Sequence, residues 1–557
     1  MEPWQCAIAY HDRTKHHFHG YARSLGYLDW ATQPNPFRRF DGAPCIPLPR
    51  TDEDSSPPYS DIYALDRVAP KPVCSETISE FFYLSLAISA WKEFAGSRWA
   101  LRCNPSSGNL HPTESYLVIG RVEGLSDAPG VYHYAPKQHA LEMRTRFGLE
   151  LWERLVRDFP PRTFFVGLSS IHWREAWKYG ERAYRYCQQD MGHALAACSI
   201  SGATLGWRVH LINQMSDIDI AKLLGLDRRD EVHEREREDP EAVLAVIPSP
   251  NDVPMDATLS AEVTDQIAAG QWHGRPNRLS SSHVQWERID AVAQACMKPT
   301  TAPNAFGSNP VLPEMQAAMP STAASARQII RHRRSAVALD GRTAIPKDQF
   351  YAILSRVLPD CHTTPWNTLG PPVSVHLGLF VHRVTGLDPG LYCLVRSPEH
   401  EESLRDAMKP GFVWQRPPGC PAALPLYLLA TGDCTALAAR VSCLQDIAGD
   451  GAFSLGMIAE FEAPLRRYGA WFYRRLFWEA GAIGQVLYLE AEAAGIRSTG
   501  IGCYFDDPVH DVFGLRGPRY QSMYHFTMGG PVEDARLTTL PAYGVDRAPR
   551  GMDTPSS

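Results

Sequence analysis

The stretch Asn104-Pro105-Ser106-Ser107-Gly108-Asn109-Leu110-His111-Pro112 concentrates groups that bind ligands. Pro sets a turn, two Ser hydroxyls can donate, Gly lets a ligand approach the backbone, and the Asn109 amide is bidentate. Such a loop suits a polar planar ring or a phosphate. A turn before a strand explains the same residues. Arg333-Arg334-Ser335 offers two guanidiniums and a hydroxyl, which can hold a phosphate through charge-assisted bonds. A solvated basic helix end is the plainer account of that triplet. Lys178-Tyr179 can supply a base and a proton donor side by side, or only a helix-start charge and a packed ring.

Three other groups have less to offer. Gly500-Ile501-Gly502 permits close approach of a flavin or nucleotide, or a tight turn into a strand. Its spacing is not a dinucleotide fingerprint. His16, His17 and His19 lack a fourth ligand at recognisable spacing and read as polar surface. Asp506-Asp507, ahead of Pro508, reads as a helix cap.

Regular elements must position these groups, and the sequence supplies them twice. Lys178 to Leu226 lies over Arg467 to Leu515 without a gap, an offset of 289 residues. The shared residues include Tyr179/Tyr468, Tyr184/Tyr473, Arg185/Arg474, Gly192/Gly481 and Asp217/Asp506. Upstream, Arg121-Val122 and Pro129-Gly130 echo Arg383-Val384 and Pro389-Gly390. The pattern predicts one unit over 76–248 and a second over 327–545. A Pro- and aromatic-rich wrapping extension (1–75) precedes them, a connector (249–326) joins them, and a polar tail (546–557) reads as mobile. In the first unit, helices are expected over 79–94 and 180–205, with strands at 115–119 and 244–247. The connector should hold one helix, over 284–297. The second unit should have helices over 326–333, 347–357 and 472–494, and strands over 373–381 and 524–528.

The chain has 557 residues, 44% hydrophobic and 21% charged, enough for two or three domains with sizeable cores. A net charge of -7 gives no basic footprint and argues against nucleic acid. No apolar run reaches the roughly 18 residues of a membrane span. The 13 cysteines are scattered without a Cys-x-x-Cys pair and read as free thiols of a reducing cytoplasm.

Pro105 to Pro112 resembles the Pro-Ser-x-x-Asn-x-x-Pro loop of the nitroreductase family, and Arg333-Arg334-Ser335 resembles that family's opening Arg-x-Ser. Lys178 to Tyr186 leading to Gly192-His193, and Tyr10 to His16 with Leu28-Asp29-Trp30, look like the SagB-type subgroup. The resemblance implies an α+β fold of two fused nitroreductase-like sandwich repeats, an intramolecular version of an intertwined homodimer with FMN at the interface. It implies hydride transfer between a substrate and flavin N5. The subgroup includes oxidases of azoline rings in modified peptides, in which a Lys-Tyr pair takes part. The implied partners are a small-molecule or modified-peptide substrate and maturation-complex proteins, with neither nucleic acid nor membrane. An NAD(P)H-dependent nitro or quinone reductase and a non-catalytic scaffold in a peptide-maturation complex are the alternatives.

The family site takes pieces from both subunits, and the two copies here retain different pieces. The first keeps Pro105, Ser106, Ser107 and Asn109, where the second has Asn367-Thr368-Leu369-Gly370-Pro371. The second keeps Arg333, Arg334, Ser335, Gly500, Ile501 and Gly502, where the first has Leu211-Ile212-Asn213 for the glycine segment. One complete FMN site is therefore expected. Lys178 and Tyr179 are its catalytic candidates, because Arg467 stands in the other copy and cannot act as a base. Arg536 is the candidate for the family's C-terminal basic residue. Val337 stands where the family often has another.

Overall fold

Two antiparallel sheets carry the molecule. In the computed structural model, residues 2–51, 53–64, 67–249, 257–303, 305–306 and 324–544 are described. The expected tail and parts of the connector lie outside them. One sheet runs Cys45–Pro47, Ala140–Arg146, Gly130–Ala135, Thr113–Ile119, Phe164–Ser170, Asp239–Ile247, Arg208–Leu211. The other runs Leu426–Thr431, Gly390–Leu394, Val375–Val381, Phe453–Glu460, Tyr520–Gly529, Arg497–Ile501. Without the Cys45–Pro47 edge, the two orders match strand for strand. The central strands are buried on both faces, so they read as apolar runs rather than alternations.

Two helices of 22 residues, Ala183–Thr204 and Phe472–Ala493, pack on each other between the sheets. Gly192 and Gly481 set their crossing. A Cβ on either would stand 2.8 Å from the other's Cα and would strike the carbonyl of Trp478 or Gln189. Tyr184 and Tyr473 stack across the same axis, 6.4 Å apart with planes 5° from parallel. Buried ion pairs cross in both directions. Asp506 takes Arg182 at 2.9 Å and Arg185 at 2.7 Å, and Asp217 takes Arg474 at 2.9 Å. Asp506-Asp507 opens the helix Asp506–Phe513, but its N-cap is Phe505, and Asp506 is an ion-pair hub instead of the expected cap.

Three sequence expectations need correction, one of them in the connector, which holds the helices Ala261–Ala268 and Glu287–Ala295 where one was expected. The helix expected over 79–94 is Ser75–Ser85, and Ile88–Phe94 instead forms a hairpin with Ser97–Arg102. Ala95 and Gly96, at φ 48° and 81°, make the turn that the apolar run conceals. Thr538–Leu540 adds a third strand to this hairpin. The N-terminal stretch also contains more order than its composition suggests. Pro3–Arg13 is a helix whose Tyr10 packs edge-on against both Tyr184 and Tyr473. Among the described residues no helix is long and apolar enough to cross a membrane.

Candidate functional site

A cavity of about 700 Å³ opens between the two sheet units, within the usual size of small-molecule sites. Pro105, Ser106, Ser107 and Asn109 line one wall, Arg333, Arg334 and Ser335 another, and Gly500, Ile501 and Gly502 a third. The hairpin supplies Lys92 and Trp99, and Thr539 comes from the strand added to it. The two long helices form the floor, with Tyr186, Asp190 and His193 at i, i+4 and i+7 on one and Tyr488 on the other.

The Pro-Ser-Ser loop is held from below. Ser107 donates to Asp190 Oδ1 from its backbone at 3.0 Å and from its hydroxyl at 3.1 Å. Ser106 Oγ accepts from His111 N at 2.8 Å. Gly108, Asn109 and His111 all have positive φ, at 57°, 59° and 52°. The last two adopt a conformation that only a few per cent of non-glycine residues show. The Asn109 amide is spent within the fold: its Nδ2 donates to Ala100 O at 2.7 Å and its Oδ1 meets His111 Nε2 at 3.0 Å. It therefore shapes the loop rather than presenting a free amide to the cavity.

Lys178 and Tyr179 end the helix His172–Tyr179 directly behind Gly108. A Cβ on Gly108 would lie 2.6 Å from the Tyr179 hydroxyl and 3.1 Å from Lys178 Nζ. Tyr179 packs edge-on against Tyr186 at 4.6 Å, and Tyr186 donates to Gly502 O at 3.2 Å. The loop, the Lys-Tyr pair and the glycine segment thus meet at one rim. Gly500 and Gly502 are tight for a nearer reason than a ligand: a Cβ would run into Tyr524 at the first and Tyr186 at the second.

The opposite end is cationic. Arg333 donates to Arg102 O at 2.8 Å, and Arg334 donates to Arg331 O, Arg333 O and Ser89 Oγ. Neither pairs with a carboxylate among the described residues. Burial, aided by Arg333 as neighbour, lowers Arg334 to about 10. Arg497, which sequence reasoning missed, lies nearby and is paired with Glu492. A buried and a half-buried guanidinium bonded only to neutral acceptors favour an incoming anion. Arg536 does not join them. It is exposed, pairs with Asp534 at 2.8 Å, and lies outside the lining.

Other groups that line the cavity or lie just behind its lining gave no sequence signal because they lie in buried helical runs. Burial, with Arg333 nearby, lowers His193 to about 3, so it is a neutral ring, 3.3 Å from the Tyr524 hydroxyl. Burial raises Asp190 to about 7. Glu175, fully buried one turn before Lys178, is raised well above the carboxylate range by burial and by Asp190.

The equivalent region on the other side of the helix pair is filled. Positions 186 and 190 become Arg475 and Glu479 at the 289-residue offset. Arg475 donates to Asn213 Oδ1 at 2.8 Å, Pro371 O at 2.9 Å and Gly370 O at 3.2 Å. Phe306 from the connector lies 5.2 Å from its guanidinium. About 20 Å³ remains there.

Residues 330–530 match the model of the nitroreductase family. A Methanocaldococcus jannaschii protein named as a nitroreductase is 24% identical over 126 residues, 22% of this chain and 62% of its own. Trifolitoxin-processing protein TfxB of Rhizobium leguminosarum bv. trifolii is 33% identical over 112 residues, 18% of this chain and 29% of its own. The matches thus span less than two thirds of either relative. A crystal structure from Anabaena variabilis, described as a nitroreductase, superposes with TM-score 0.68 at 20% identity, covering 95% of this chain and 99% of that one. The chain accordingly has a nitroreductase-like α+β fold.

Proposed function

We propose that the chain is an FMN-dependent oxidoreductase of the SagB type, built as two fused nitroreductase-like repeats with one flavin site between them. The observation that carries this reading is the cavity itself, which draws its loop from one unit and its cationic and glycine walls from the other. Arg333, Arg334 and Ser335 hold the phosphate. Ser106 and Ser107, on a loop anchored by Asp190, close over the ring system, and Gly500 to Gly502 back it. Bound FMN supplies a hydride acceptor at its N5. Lys178 and Tyr179 at the Gly108 rim orient the substrate and take part in moving its proton. The likeness to a trifolitoxin-processing protein favours a modified peptide as substrate and a maturation complex as setting, and azoline rings fit the Lys-Tyr pair.

Reconstitution with FMN tests the reading. One FMN per chain is expected, with a rise in thermal stability on binding. Arg334→Ala should weaken binding about 10- to 100-fold, the equivalent of roughly 1.5–3 kcal/mol for a charged hydrogen bond. A colourless protein that ignores added FMN would end the proposal. Fast reduction by NAD(P)H, unchanged in Lys178→Ala, would replace the dehydrogenase with a reductase.

A further inference from the structure

At the floor of the cavity Asp190 has a second carboxyl, Glu175, behind it, and neither is in a salt bridge among the described residues. Asp190 lines the cavity and accepts from Ser107. Glu175 lies against it and against Ser106, with no exposed surface. Both Glu175 oxygens are buried, and no donor among the described residues bonds to them. Two ionised carboxylates at this distance from water would repel each other and forfeit their solvation. One proton between them resolves both costs: a neutral Glu175 becomes a donor, and Asp190 is its acceptor.

The contrast with the filled region supports this. Glu479 stands at the position equivalent to Asp190 and likewise accepts from a loop amide, Ser374 N at 2.9 Å. It is neutralised by Arg396, whose guanidinium touches it directly. Asp190 has no such permanent cation but a second carboxyl beside it, so the charge of the pair can change with proton transfer. Every group facing the pair leaves that possibility intact. Lys178 and Tyr179 follow on the helix of Glu175, Cys187 comes from the helix of Asp190, and Tyr524 comes from the sheet. Only Lys178 among them carries positive charge, and it sits at the Gly108 rim.

We propose that Glu175 and Asp190 form a carboxylic acid–carboxylate pair that receives the proton leaving the substrate. This rests on the flavin dehydrogenase reading. As a substrate is oxidised, its hydride leaves with the flavin as oxidant, and the accompanying proton converts the Asp190 carboxylate to the acid. Bulk water recovers that proton before the next turnover. Glu175 acts through Asp190 and is a positioning residue.

Infrared spectroscopy on protein carrying isotope-labelled carboxyl groups tests the pair without any flavin. At neutral pH one protonated Glu band is expected, lost in Glu175→Gln, together with an Asp band that titrates near pH 7 and vanishes in Asp190→Asn. Two ionised carboxylates at pH 6 would overturn the pair. With FMN and a thiazoline-bearing peptide as probe, the rate of flavin reduction should rise through an inflection near pH 7. Glu175→Gln should keep that inflection, and Glu175→Leu should shift it upward by removing the donor. An inflection unchanged in Asp190→Asn would sink the acceptor role. A peptide that never reduces the flavin would count against the substrate reading, while the infrared bands still decide the pair.

Discussion

Two regions flank the central helix pair at matching positions, and one is a cavity of about 700 Å³ while the other retains about 20 Å³. The sheets behind them have the same strand order, and both loops carry a glycine with φ near 60°, Gly108 and Gly370. What differs is a handful of side chains. Tyr186 packs edge-on against Tyr179 and donates to Gly502 O, whereas Arg475 at the same helical position reaches across to the loop carbonyls. The difference teaches that this scaffold does not by itself make a site. Openness depends on whether the floor residue is turned aside or satisfied by the loop.

The largest effect should come from what the two sides share. Asp506 is held well below the ordinary Asp range by Arg182 and Arg185, and its loss leaves both guanidiniums buried without their charge partner. Asp506→Ala should destabilise by about 3–5 kcal/mol, read by denaturant unfolding. Arg474→Ala, which strands Asp217 and Glu241, should cost a similar amount. If only one of the two is costly, the axis is not shared equally. The sign of the pH dependence follows from the depressed Asp506 value. Its contribution is full above the unfolded Asp value of about 4 and falls as pH drops below it.

Arg475→Ala should have a middling effect. It frees the carbonyls of Gly370 and Pro371 from their donor and should cost about 1–3 kcal/mol. FMN stoichiometry should stay at one per chain, because no Arg-x-Ser or glycine segment serves that side. A second bound flavin would break the comparison. Arg536→Ala should do least. With its partner Asp534 at the surface, the change should lie within about 0.5 kcal/mol and leave FMN affinity unaltered. A large loss of affinity would return Arg536 to the site.

Both long helices and the three segments that line the cavity walls were legible in the sequence, because each depends on spacing or on residues with unusual backbone demands. The floor was not legible. Glu175, Asp190 and His193 sit in helical runs that are polar and buried at once, so periodicity cannot separate site from core. The hairpin at Ile88–Arg102 was hidden for a related reason: a short apolar run after a helix fits either a continued helix or a strand. Arg536 misled because a basic residue after Gly529-Gly530-Pro531 fits the resemblance, while its acidic partner two residues away decides where it points.

The Gly192–Gly481 contact has a consequence of its own. Each glycine meets the other helix's backbone, so a methyl group on either must move a whole helix rather than a side chain. Those helices bring Tyr186, Asp190, His193 and Tyr488 to the open cavity and Arg475 to the filled region. The contact therefore acts as a spacer that fixes the depth of the open chamber and the fit of its plugged twin together. A substitution there would loosen one and unseat the other in the same stroke, though it touches neither.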